Sequence, residues 1–180
     1  GAKTVEATET FLEKTLIRAG GKFQGEEFQY RLMPPPNIEP GKTYPLVLFL
    51  HGAGERGTDN ALQLKYLPEQ MAQPNWRERF PCYLLAPQCR PDHRWVEVDW
   101  TLPETHDMSE QPGDLMRVAM QALEKTIAEE QIDKSRIYLT GLSMGGYGAW
   151  ELAIRRPDVF AAAAVVCGGV DNSRAIALKD

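Results

Sequence analysis

Residues 138–150 read Tyr-Leu-Thr-Gly-Leu-Ser-Met-Gly-Gly-Tyr-Gly-Ala-Trp, so that Gly141 and Gly145 set Ser143 in a G-x-S-x-G frame. A serine hydroxyl is a weak nucleophile, and it becomes useful when a sharp strand-to-helix turn lifts it clear of the backbone. Flanking glycines keep side chains out of that turn. Glycine and serine are common residues, so the frame alone constrains little. Its setting constrains more. Residues 136–140 form a short run with strand propensity, and residues 144–156 carry no proline and stop at Pro157, as a helix should. Strand, serine-bearing turn and helix in that order make a nucleophile elbow.

A second element lies upstream. The apolar run Tyr-Pro-Leu-Val-Leu-Phe-Leu at 44–50 reads as a buried strand and leads directly into His51-Gly52-Ala53-Gly54, an H-G-x-G loop. Where serine hydrolases pair such a loop with an elbow, the loop lends one backbone N–H to the oxyanion hole and the residue after the nucleophile lends the other. The donors here would be Ala53 and Met144. Each donor of this kind stabilises the tetrahedral oxyanion by about 3 kcal/mol in a dry site, so loop geometry matters more than side-chain identity. By itself the same stretch would also read as a glycine-rich turn.

These segments, with Ala86-Pro87-Gln88-Cys89, the run Pro157-Asp158-Val159-Phe160-Ala161-Ala162 and Cys167-Gly168-Gly169, resemble the α/β-hydrolase superfamily. Within it the chain is similar to bacterial esterases and predicted peptidases related to phospholipase/carboxylesterases and polyhydroxyalkanoate-depolymerase-like esterases. The likeness runs from about residue 44 to 169. It implies one α/β domain over residues 1–180, with residues 1–20 as an N-terminal extension and a mainly parallel sheet covered by helices on both faces. It also implies a tryptophan after the A-P-Q segment that walls the acyl or leaving-group pocket, a place that Trp95 matches. An aromatic that pins the loop to the core is the equal alternative. His51 and Gly52 complete the set of candidate pocket residues.

The resemblance further implies a triad in the chain order Ser, then Asp or Glu, then His, on loops after later strands. Asp180 lies 37 residues beyond Ser143, and no histidine occurs in that interval. A helix and a strand at 161–166 occupy most of it, so the expectation is a chain whose last strands are missing, with the triad acid and base beyond residue 180. The three histidines precede the elbow. His51 belongs to the oxyanion loop and reads as a hydrogen-bonded structural imidazole. His93 sits in a charged loop and reads as solvated. His106 has acidic neighbours that could orient an imidazole, but its position contradicts the chain order. Asp171 is more simply a loop or capping residue than the triad acid.

Composition is that of an ordinary globular protein, 43% hydrophobic and 25% charged, and no run approaches the roughly 18 apolar residues of a membrane span. A net charge of −5 with scattered arginines argues against a nucleic-acid partner. Arg155 and Arg156 fall at a helix end, where cations are favourable. The cysteine count is odd, at three: Cys82 and Cys167 read as core fillers and Cys89 as free or paired. Their spacing does not fit zinc, and no metal or organic cofactor is implied. No secretory signal is visible, and Gly1-Ala2 leaves room for an exported protein with its leader removed. Compartment and oligomeric state stay open.

The remaining periodicities predict a helix over 8–19 ended by Gly20-Gly21, a strand in which Phe28, Tyr30 and Leu32 alternate with polar neighbours, a helix over 60–71, a strand at 82–86 and an amphipathic helix over 113–130 with Leu115, Val118, Ala119, Ala122, Leu123 and Ile127 on one stripe. The long loop over 88–112 carries Trp95, Trp100, Asp92, Asp99, Glu104 and Asp107, and loops of this kind at strand ends build sites. Glu55 and Arg56 read as positioning residues of the oxyanion loop, and Tyr147 and Trp150 as packing residues. The expected activity is hydrolysis of a small-molecule or polymer-linked carboxylic ester through an acyl-enzyme at Ser143. A peptidase or amidase of the same fold, and a catalytically incomplete fragment lacking the triad Asp and His, are the alternatives.

Overall fold

The computed structural model describes residues 4–97 and 108–166. Tyr44–Leu50 (β3), Tyr83–Pro87 (β4), Ile132–Leu142 (β5) and Ala162–Val166 (β6) are parallel neighbours. Glu27–Met33 (β2) and Leu12–Ile17 (β1) add an antiparallel flank, giving the order β1-β2-β4-β3-β5-β6. This is the mainly parallel sheet of an α/β-hydrolase.

Strand alternation divides the interior in two. Leu46, Leu48 and Leu50 of β3 and Tyr83 and Leu85 of β4 face one cluster, which Asp114–Glu129 (α4) and Met144–Arg155 (α5) cover with Leu115, Val118, Ala119, Ala122, Ala149 and Leu152. Phe49, Leu84 and Ala86 face the other, closed by Leu64, Ala72, Phe11 and Ala7 together with Leu67 and Met71. The period of 2 in the strands and of 3.6 in α4 therefore land on the same planes, with helices on both faces of the sheet. Each fully buried Leu or Phe contributes roughly 2 kcal/mol to this packing. The stripe read on α4 is the buried one, except that Ile127 is only partly covered.

Two predicted helices are corrected. Residues 8–19 are not one helix: a single turn, Ala7–Thr10 (α1), gives way to β1, whose Leu12 lies opposite Leu32 and Ile17 opposite Glu27. The apolar spacing of Phe11, Leu12 and Leu16 fits a helix in isolation. In the fold Phe11 is needed in one cluster and Leu16 in the other, on opposite faces of the sheet, which a strand reaches and one helical face does not. Gly20 and Gly21, at φ of 87° and 73°, make the β1–β2 turn rather than a helix cap. Residues 60–71 likewise break into a 3-10 turn, Leu62–Leu64, and a short helix, Leu67–Met71 (α2), with Tyr66 at φ of 67° between them. Pro68 has no N–H to continue a helix from the preceding turn. Pro74–Arg79 (α3) follows, a helix that the sequence reading did not anticipate.

Candidate active site

β3 and β5 are adjacent parallel strands in register Leu50↔Gly141, so the loops that follow them emerge side by side at the carboxyl end of the sheet. Ser143 occupies the turn between β5 and α5. It is exposed, with φ of 55° and ψ of −113°, a positive φ that L-residues avoid without external restraint. The restraint is visible. The Ser143 amide donates to the Val166 carbonyl of β6 at 2.8 Å, and the Ser143 carbonyl accepts from the amides of Gly146 and Tyr147 at 2.8 and 3.2 Å, starting α5 at once.

The glycines of the frame are steric necessities. A Cβ on Gly145 would lie 1.8 Å from the Leu50 oxygen and 2.7 Å from that of His51, because the first turn of α5 rests directly on the end of β3. A Cβ on Gly141 would lie 2.0 Å from the Gly145 oxygen. Gly148, one turn on, leaves room for Trp95, whose Cβ would be 2.8 Å from a Cβ there. Sequence reading missed this third glycine, although its spacing three residues after Gly145 was the available signal.

The loop after β3 is held from all sides. The Gly52 amide donates to Glu55 Oε1 at 3.3 Å, Arg56 Nε donates to the Ala53 carbonyl at 3.0 Å and Arg56 Nη1 to the His93 carbonyl at 3.0 Å. Glu55 and Arg56 are thus positioning residues. His51 is fully buried: its Nδ1 is 2.6 Å from the Gly52 carbonyl and its Nε2 2.8 Å from the Cys89 amide. A carbonyl can only accept and an amide can only donate, so Nδ1 carries the proton and Nε2 is bare. Burial, assisted by the nearby Arg56 charge and only partly offset by the Gly52 hydrogen bond, pushes the imidazole down to about 4, so it is neutral at ordinary pH.

The three candidate pocket residues are all buried. His51 is sealed from solvent. Gly52 is buried too, and a Cβ on it would lie only 3.3 Å from the Leu142 oxygen, so neither residue offers a surface to substrate. Trp95 is also fully buried. Its Nε1 donates to the His51 carbonyl at 3.0 Å and its ring meets the His51 ring edge-on at 5.3 Å, so it pins its loop to the core beneath the glycine loop. His93 is half-buried and packs edge-on against Phe23 at 5.4 Å, whereas the charged loop suggested a solvated ring. Trp100, Asp99, Glu104, His106, Asp107, Cys167, Gly168, Gly169 and Asp171 lie outside the described residues.

A buried polar network underlies the loop, and sequence reading missed it. Gln88, at the end of wholly buried β4, accepts from the Asn60 amide at 2.8 Å and donates to the Glu55 carbonyl at 3.2 Å and to Asp59 at 2.9 Å. Asn60 in turn accepts on its backbone carbonyl from buried Arg31 of β2 at 2.7 Å and on its side chain from Gln63 at 2.6 Å. These bonds fix one loop geometry, since each one broken would orphan a buried group at a cost of about 1–3 kcal/mol; Gln63 Oε1 is the one side-chain atom of the network without a partner. The signal was a glutamine directly after an apolar strand. Burial raises the thiols of Cys82 and Cys89 to about 11 and about 12, which leaves both inert as nucleophiles. Among the described residues no group of three or more His, Cys, Asp or Glu is placed to hold a metal ion, and no helix is long and apolar enough to cross a membrane.

A thermostable esterase of known structure is 40% identical over 96% of this chain, with a TM-score of 0.81, and the chain spans 44% of that protein's length. Poly(3-hydroxyalkanoate) depolymerase C of Paucimonas lemoignei is 42% identical over 65 residues, which are 33% of this chain and 16% of the depolymerase. The fluorophosphonate-binding serine hydrolase F of Staphylococcus aureus shares the fold at 17% identity, with a TM-score of 0.59 over 85% of this chain and 55% of its own. The family model described as a putative esterase matches residues 22–177, and the chain belongs to that esterase family.

Proposed function

We propose that the protein hydrolyses carboxylic esters by acylation of Ser143 and hydrolysis of the acyl-enzyme, with the amides of Ala53 and Met144 holding the oxyanion. The observation that carries this reading is Ser143 itself: an exposed serine held at positive φ between β5 and the first turn of α5, beside the glycine loop of β3. Met144 is the first residue of α5, where an N–H has no acceptor inside the helix and the helix dipole favours negative charge. Ala53 begins the 3-10 turn Ala53–Glu55, so its N–H has no acceptor inside that turn. Two such donors facing one developing oxyanion would supply several kcal/mol of transition-state stabilisation. The substrate is a small-molecule or polymer-linked ester, a range that the similarity to an esterase and to a polyester depolymerase supports.

Incubation with a fluorophosphonate followed by intact-mass measurement tests the proposal. A single adduct on the protein that Ser143→Ala abolishes is the expected result, with turnover of an ester exceeding that of the matched amide. An adduct that survives Ser143→Ala, or none on a longer folded protein that contains this domain, would overturn it.

A further inference from the structure

We infer that His51 is the positioning residue of the oxyanion hole: its Nδ1–H fixes the direction of the Gly52–Ala53 peptide and thereby aims the Ala53 N–H. The inference rests on the proposed role of that amide in catalysis, but its geometry stands independently. The carbonyl of Gly52 and the N–H of Ala53 belong to one trans peptide plane and point in opposite directions. Whatever holds the carbonyl therefore aims the amide. The shorter of its two hydrogen bonds comes from the His51 ring, 2.6 Å away and itself braced through Nε2 on the Cys89 amide of the loop after β4; the Glu55 amide adds a longer one at 3.3 Å. The imidazole is a strut between two loops, with the Trp95 indole donating to the His51 carbonyl behind it.

The strut is needed because Gly52 has no side chain to resist rotation of that plane. With φ of −82° and ψ of 178° it sits in extended backbone, from which a glycine can turn its following peptide over at little cost. The Gly52 amide is anchored separately by Glu55, so rotation would be confined to the one peptide whose N–H the reaction uses. Since the carbonyl is held on the buried side, against a ring with no exposure, the Ala53 N–H is directed away from the interior. A side chain that touches no substrate would then control the rate through the orientation of a backbone group.

Two substitutions separate the halves of the strut. In His51→Asn the carboxamide nitrogen can take the place of Nδ1 and still donate to Gly52. In His51→Gln the longer chain reaches the place of Nε2 and leaves the Gly52 carbonyl with only the 3.3 Å bond from the Glu55 amide. Crystal structures of both variants read the peptide directly, and ester hydrolysis reads its consequence. The expected result is a retained peptide and less than about a tenfold loss of kcat in His51→Asn, against a turned peptide and a loss on the order of 100- to 1,000-fold in His51→Gln, with KM little changed in both. A Gly52 carbonyl that keeps its direction in His51→Gln overturns the inference. In the unaltered protein, imidazole 15N shifts give the tautomer without any variant having to fold: a protonated Nδ1 is expected, and a protonated Nε2 overturns the inference. Should the protein hydrolyse no ester while the peptide turns only in His51→Gln, the esterase proposal falls and the assignment of His51 stands.

Discussion

Replacing Gly145 by alanine adds one methyl group at the point where α5 meets β3. In an isolated helix the change would be favourable by up to about 1 kcal/mol, because alanine has the higher helix propensity. Here the new carbon would lie 1.8 Å from the Leu50 oxygen and 2.4 Å from its carbonyl carbon, where real Cβ contacts essentially never fall under 3.0 Å. These are backbone atoms of a central strand, so no rotamer change relieves the overlap. The first turn of α5 must move by at least about 1.2 Å, a displacement in the range that overpacking penalties of roughly 1–3 kcal/mol describe. The clash outweighs the propensity, and a net destabilisation of about 2 kcal/mol is expected from urea denaturation followed by tryptophan fluorescence. The same displacement carries Ser143 and the Met144 amide off the glycine loop, and misplacement by about 1 Å costs on the order of 100-fold in rate, read as slower fluorophosphonate labelling. Gly54→Ala is the control, since a Cβ there meets nothing within 4 Å and should change stability by less than about 0.5 kcal/mol. If Gly145→Ala unfolds at the parent's urea midpoint and labels at its rate, the close approach of α5 to β3 is not what holds the elbow.

Ser143→Gly and Ser143→Ala should both abolish labelling yet differ in stability. Relief of a positive φ is worth about 1–3 kcal/mol and the added chain entropy of glycine costs about 0.5–1, so the glycine variant should be the more stable by roughly 1 kcal/mol, and equal urea midpoints would refute the strain at φ of 55°. His51 predicts a pH dependence with a definite sign. Its folded-state pKa of about 4 lies below the ordinary value of 6.5, so the unfolded chain binds the extra proton: the contribution is complete above about pH 6.5 and is lost as pH falls toward 4, by roughly 3 kcal/mol. Urea midpoints measured from pH 7.5 to pH 4 should therefore fall more steeply in the parent than in His51→Asn, and parallel curves would show that the ring is not buried neutral.

The serine and glycine positions of the elbow were legible because sterics dictate them locally: Gly141 and Gly145 sit in a frame that only a tight strand-to-helix turn requires. β3 and β4 were legible because strands buried on both faces are uninterrupted apolar runs, and α4 because one stripe must meet a sheet. β1 was not, since the strand character of residues 12–17 comes from pairing with β2 and from anchoring Phe11 and Leu16 on opposite faces, neither of which is encoded in the segment itself. The short helices around Leu67–Met71 were missed because Asn60 and Tyr66 take positive φ, which interrupts any continuous helix and which neither residue type announces. Trp95 and His51 were visible as residues but not as contacts. An indole after a strand reads equally as pocket wall or as core, and only its hydrogen bond to the His51 carbonyl chooses.

That choice bears on how the two glycine motifs relate. H-G-x-G and G-x-S-x-G lie some 90 residues apart in the chain, yet each is shaped by the other. Gly145 is bare so that α5 can rest on the Leu50 and His51 carbonyls, and the His51 carbonyl, with that approach above it, takes the Trp95 indole for which Gly148 leaves room. The backbone that positions Ser143 is therefore the same backbone that carries the glycine loop of β3. A disturbance on either side should reach the other through Leu50 and His51 without touching a reacting atom, which is why the sharpest probes of this site are a glycine that makes no chemical contribution and a histidine that substrate does not touch.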